Sequence, residues 1–157
     1  HGMSNRVNDT NKLKEEIAMV QIIAGKKGKG KTKFLLDKAN SAIKESKGSI
    51  VYLDKSSKHM YELNTKVRLI NVMDYPIRSY NAFIGFICGI ISQDHDLEQM
   101  YLDSFLKLAH LEGKDIADAI DELDKIGEEY AVTFVLSVSQ DEAELPANAK
   151  DKLVISL

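Results

Sequence analysis

The chain has 157 residues, 44% hydrophobic and 29% charged, with a formal net charge of −3. That is the size and balance of one globular domain with a single core. The small acidic surplus argues against general nucleic-acid binding, which calls for a basic excess, but it leaves room for a local basic patch. Cys88 is the one cysteine, so no intramolecular disulfide forms. The apolar run around it, Ala82 to Ile91, is about half the length of a membrane span. No membrane association and a cytoplasmic location are therefore expected, since the amino terminus is polar and shows no signal peptide. Cys88 itself reads as a small buried hydrophobe.

His1-Gly2 before Met3 reads as a cloning scar. Residues 3–17 are polar and fit a short helix, a linker or vector sequence. Residues 1–18 are thus assigned as tag or flexible segment, and 19–157 as the folded domain.

Met19-Val20-Gln21-Ile22-Ile23-Ala24 is short, apolar and β-branched, so it predicts a buried strand that ends at glycine. Lys31 to Ser46 predicts a helix. Its apolar residues Leu35, Leu36, Ala39, Ala42 and Ile43 fall on one face, and Gly48 stops it. Ser49 to Asp54 and Val67 to Val72 predict two further strands. A helix is expected from Tyr80 to Gln93. Leu97 to Leu102 is ambiguous between helix and strand, and its shortness favours strand. Asp115 to Tyr130 predicts a helix with Ile116, Ala119, Ile120, Leu123 and Ile126 on one stripe. Val132 to Val138 and Leu153 to Leu157 complete the strands. Alternating strands and helices, with strands apolar on both faces, predict a mainly parallel central sheet covered by helices on both sides. The expected class is α/β, a three-layer α/β/α sandwich.

Gly25-Lys26-Lys27-Gly28-Lys29-Gly30-Lys31-Thr32 fits the pattern G-x-x-x-x-G-K-[ST], with a predicted strand before it and a helix after it. The chemistry asks for each part. Glycines let the backbone wrap a polyphosphate and turn its N–H groups inward. The helix amino terminus adds its dipole. Lys31 reaches the β- and γ-phosphates, and the Thr32 hydroxyl ligates Mg2+. Lys26, Lys27, Lys29 and Lys33 raise the local potential for an anion. The expected ligands are ATP, or another nucleoside triphosphate, and Mg2+.

Such a site also needs a carboxylate at the end of another strand. Asp103 after Met100-Tyr101-Leu102 is preferred over Asp54 after Val51-Tyr52-Leu53. Either aspartate also fits a plain helix or turn cap. The run Leu102-Asp103-Ser104-Phe105 resembles the metal-binding strand of RecA-like ATPases. The order of elements over most of residues 19–157 resembles that branch of P-loop NTPases, where an acidic residue follows the second strand and a polar one ends a later strand. The resemblance assigns these roles to Asp54 and to Ser137-Val138-Ser139-Gln140. The chain also resembles small stand-alone ATP-binding proteins loosely labelled twitching-motility ATPases, without the acid- and histidine-rich boxes or second domain of a pilus motor.

RecA-like enzymes use a glutamate to activate water. Here Ser104 follows Asp103 and Lys55 follows Asp54, so Asp54 is the candidate base and Lys31 the other catalytic residue. The expected function is a slow ATPase that serves as a regulatory switch or scaffold. One alternative is an ATPase of the MinD/ParA type that dimerises through Lys26. That family's second glycine is Lys27 here, and its Asp-x-Asp is Asp54-Lys55-Ser56. A further alternative is a small-molecule kinase, although no arginine-rich lid is visible. Arg6, Arg68 and Arg78 are the only arginines. Arg78 is weighed as a finger for a neighbouring subunit against an ordinary surface role, and Arg68 as a structural ion pair or a sheet-edge contact. Asp94-His95-Asp96 is weighed as a metal site against a polar turn. The protein partner is unknown and a homo-oligomer is left open.

Overall fold

A computed structural model of the chain describes residues 18–157. The expectations for the tag, the scar and the short segment up to residue 17 lie outside the described residues. The elements run β1 (Val20–Ala24), α1 (Lys31–Ala42), β2 (Ser49–Asp54), β3 (Val67–Asn71), α2 (Tyr80–Ser92), β4 (Leu97–Leu102), α3 (Phe105–Leu108), α4 (Ala117–Tyr130), β5 (Thr133–Val138), α5 (Ala147–Lys150) and β6 (Leu153–Ser156). Short 3-10 turns cover Met60–Glu62, Val72–Asp74 and Glu142–Glu144. The six strands form one sheet in the order β3-β2-β4-β5-β1-β6, and every neighbouring pair is parallel. The ambiguous Leu97 segment is the strand β4.

Alternation along each strand divides the core. Val20, Ile22, Val51, Leu53, Met100, Leu102, Phe134 and Leu136 join Phe83, Ile87 and Ile91 of α2 and Ala119, Ile120 and Leu123 of α4 in one cluster. Ile23, Ile50, Tyr52, Tyr101 and Val135 join Leu35, Leu36 and Ala39 of α1 in a second cluster. The stripe of α4 and the apolar positions of α1 are the ones their spacing predicts. Each fully buried Leu, Ile or Phe contributes about 1.5–3 kcal/mol.

The path of the chain explains why two clusters exist. From β1 the chain crosses through α1 to β2, passing β5 and β4. It then returns in the opposite direction through α2 and α4. Crossovers of one hand running in opposite directions lie on opposite faces of the sheet. Because all strands are parallel, their carboxyl ends share one edge. Gly25, Asp54, Asp103 and Val138 are all at that edge. Open parallel sheets bind ligands there.

Two predictions about local structure are corrected. The first helix ends at Ala42, not Ser46, and residues 43–45 continue as a turn, with the amides of Glu45 and Ser46 both donating to the Ala42 carbonyl. Gly48 is therefore not the helix stop. A Cβ at Gly48 would sit 1.9 Å from the backbone carbonyl oxygen of Asp96, so this glycine serves close approach at the start of β2. Gly48→Ala is expected to cost about 1–3 kcal/mol, the usual penalty for overpacking. Thermal melting should show a drop of several degrees. An unchanged melting temperature would mean that the two segments separate without cost.

The second correction concerns Cys88, expected in the core. It is half-buried on α2 and free. Burial, then the nearby Glu122 and Glu129, pushes its thiol up, away from the thiolate form. No helix among the described residues is long and apolar enough to cross a membrane.

Candidate phosphate and metal site

The loop from β1 to α1 is held at its first residue. The Gly25 amide donates to the Val138 carbonyl at 3.3 Å, and a Cβ on Gly25 would lie 3.0 Å from Cβ of Leu157. Gly28 and Gly30 have φ of 85° and 90°. The left-handed backbone, rather than space, demands glycine at both positions. Two donors converge on the Lys26 carbonyl: the Lys29 amide at 3.3 Å and Lys31 Nζ at 3.1 Å. The Lys31 side chain thus folds back over its own loop.

Lys31 is only 7% exposed at the amino terminus of α1. Burial lowers its pKa, and the charge of Asp103 opposes that shift. A buried ammonium without an ion pair is costly, so the position suits a lysine whose counter-charge arrives as a ligand. Lys26, Lys27, Lys29 and Lys33 have exposed side chains around it.

Next to Lys31, Thr32 reaches across the sheet. Its Oγ1 donates to Asp103 Oδ1 at 3.2 Å, spanning 71 residues of sequence. Asp103, 3% exposed, receives two more hydroxyls: Tyr52 OH donates to Oδ2 at 2.8 Å and Ser137 Oγ to Oδ1 at 2.8 Å. The Ser104 amide in turn donates to Ser137 Oγ at 2.8 Å. Ser104 has φ of 58°, a left-handed conformation uncommon for serine. Three O–H donors hold the Asp103 carboxyl in one orientation. Ser137 lies in the segment 137–140, where the sequence reading expects a polar residue to close the strand.

Tyr52 was not singled out from sequence. It is fully buried, stacks on Tyr101 with ring centroids 6.0 Å apart, and its hydroxyl is driven far up by burial and by Asp103. A buried tyrosine needs a partner for its hydroxyl. Its place in the aliphatic run Ile50-Val51-Tyr52-Leu53 was the available signal.

Asp54 ends the strand beside Asp103, since Leu53 pairs with Leu102. It is 2% exposed. Oδ1 accepts from the Lys55 amide at 2.7 Å, while Oδ2 is buried and has no partner. Burial first, and the Asp103 charge second, push its carboxyl above the ordinary range. An orphaned carboxylate oxygen beside a second carboxylate is a place for a cation or a proton.

The remaining candidates lie elsewhere. Arg68 is exposed on edge strand β3 and Arg78 is exposed before α2. Asp94 Oδ1 accepts from the Asp96 amide at 2.9 Å, so that segment forms a polar turn ahead of β4. Among the described residues no group of three or more His, Cys, Asp or Glu is arranged to hold a metal ion. A cation at Thr32 and Asp103 would draw its other ligands from phosphate and water, as Mg2+ commonly does. No protein-family model matches the chain, and no curated protein matches it significantly.

Proposed function

We propose that this protein binds a nucleoside triphosphate, ATP, with Mg2+ through a P-loop, in a three-layer α/β/α fold of the P-loop NTPase type similar to the RecA-like branch. The observation that carries this reading is the 3.2 Å contact of Thr32 with Asp103 beside the buried Lys31. It joins the motif's hydroxyl to the carboxylate that follows β4, with β5 lying between β4 and β1.

In this reading the amides of residues 25–32 and Lys31 hold the phosphates, and Thr32 and Asp103 hold the metal. Bound Mg2+ neutralises the phosphate charge. Tyr52 and Ser137 keep Asp103 oriented. Asp54 takes a proton from the attacking water. The water oxygen then bonds to the γ-phosphorus, and the bond from that phosphorus to the β–γ bridging oxygen breaks. ADP leaves with the electron pair. A single aspartate with no adjacent glutamate fits slow turnover and the role of a regulatory switch. The backbone carbonyl of Lys26 accepts from Lys31, while its side chain is exposed and adds positive charge beside the loop.

Asp54→Asn separates binding from turnover. Phosphate release should fall by on the order of a hundredfold or more, while calorimetry finds affinity for Mg-ATP nearly unchanged. The same substitution should raise the melting temperature of the ligand-free protein. A carboxyl whose folded pKa is raised stabilises the fold when protonated, below its unfolded value, and that contribution is lost as pH rises through the folded value. As pH rises through the folded value the buried charge becomes a burden on the fold, and the amide removes it. Loss of binding without loss of turnover per bound nucleotide would exchange the roles of Asp54 and Asp103.

A further inference from the structure

An NTPase site also needs positive charge on the far side of the γ-phosphate, often from an arginine of a neighbouring subunit. A cavity of about 440 Å³ opens beside the phosphate loop at the carboxyl ends of β2, β4 and β5. No arginine lines it. Lys27 of the loop, Lys55 and Lys107 do, together with Glu112 and Glu144. Lys55 is the residue after Asp54, and its amide is fixed on Asp54 Oδ1 at 2.7 Å. Lys107 is in α3, where its amide donates to the Ser104 carbonyl at 3.0 Å. Lys55 follows the end of β2 and Lys107 lies on the short helix after β4, the strand paired with β2, and both line this one cavity. Gln140 lines the same cavity, and its buried Oε1 has no hydrogen-bond partner. A buried acceptor of that kind calls for a donor from a ligand or water.

We propose that this cavity is the γ-phosphate chamber and that Lys55 and Lys107 neutralise the γ-phosphate from within the same chain. The proposal rests on the P-loop reading. Two consequences follow from the chemistry. The site distinguishes triphosphate from diphosphate, because ADP lacks the group that the two lysines touch. Turnover needs no second copy, because the charge is supplied in cis. Gln140 Oε1 accepts a hydrogen bond from a water held in the chamber.

The test is calorimetric titration of ADP and of a slowly hydrolysed ATP analogue, both with magnesium, into wild type, Lys55→Ala, Lys107→Ala and Lys55→Arg. Each alanine variant should lose roughly tenfold in affinity for the triphosphate, the scale of one charge-assisted contact. Affinity for ADP should stay unchanged, which also reports an intact fold. Lys55→Arg should retain most of the wild-type preference. Turnover per molecule of wild type should be constant across protein concentration. Equal losses for both nucleotides, or no loss for either, would overturn the proposal. So would turnover per molecule that rises with concentration. If wild type binds ADP and the analogue equally, only the lysine assignment fails. If it binds neither, the P-loop reading fails with it.

Discussion

Lys31→Ala is expected to weaken binding of Mg-ATP by about ten- to a thousandfold, with the fold intact. The size follows from what the ammonium does in the site. It is buried, carries charge, and among the described residues has the Lys26 carbonyl as its one hydrogen-bond acceptor. A phosphate would give it charge-assisted bonds of about 1.5–3 kcal/mol each, and more where the pair is desolvated. The fold should persist, or gain slightly, because the substitution removes a charge whose burial disfavours it in the ligand-free protein. Calorimetry and thermal melting on the same samples read both effects. A variant that unfolds would mean that Lys31 is structural, and unchanged affinity would remove it from the site.

Asp103→Asn should have the second large effect, and it should depend on the metal. Affinity for Mg-ATP should fall at least tenfold, while affinity for ATP in a chelator falls little, because the lost charge acts through magnesium. The carboxylate also accepts from Thr32, Tyr52 and Ser137. An amide turns one of those acceptors into a donor, so at least one hydroxyl loses its partner at a cost of about 1–3 kcal/mol. The melting temperature should drop accordingly. This separates Asp103 from Asp54, whose asparagine variant should melt higher. Equal loss of ATP affinity with and without magnesium would place Asp103 outside the metal's reach.

The sheet was legible because buried parallel strands write continuous apolar runs, and all six predicted strands are present, none off by more than a residue at either end. The strand order was not legible. It depends on which crossover passes which strand, and nothing in residues 43–48 or 72–79 records that distance. The end of α1 was misplaced because Ala42 and Ile43 continue the helical spacing, whereas Gly48 marks a close contact with Asp96 some residues later. The short α3 and α5, four residues each, leave too little periodicity to detect.

At the candidate site the turn between β1 and α1 was legible, because its backbone demands glycine at 28 and 30 whatever surrounds it. The meeting of Thr32 with Asp103 was legible only as chemistry. The hydroxyls that hold Asp103 were not all foreseen. Ser137 ended a strand and drew notice, but Tyr52 sat within an apolar run and passed for core. The partial exposure of Cys88 was likewise hidden, since α2 is apolar on most of its surface and its spacing does not single out the covered face.

The most direct measurement is calorimetric titration of the wild-type protein with ATP, in magnesium and again in a chelator. A P-loop site with Thr32 and Asp103 on the metal predicts one nucleotide per chain, with affinity at least tenfold tighter when magnesium is present. No heat in either condition, at concentrations where the protein is folded, would contradict the account. Binding that ignores magnesium would leave a phosphate loop without the metal site that Thr32 and Asp103 are taken to form.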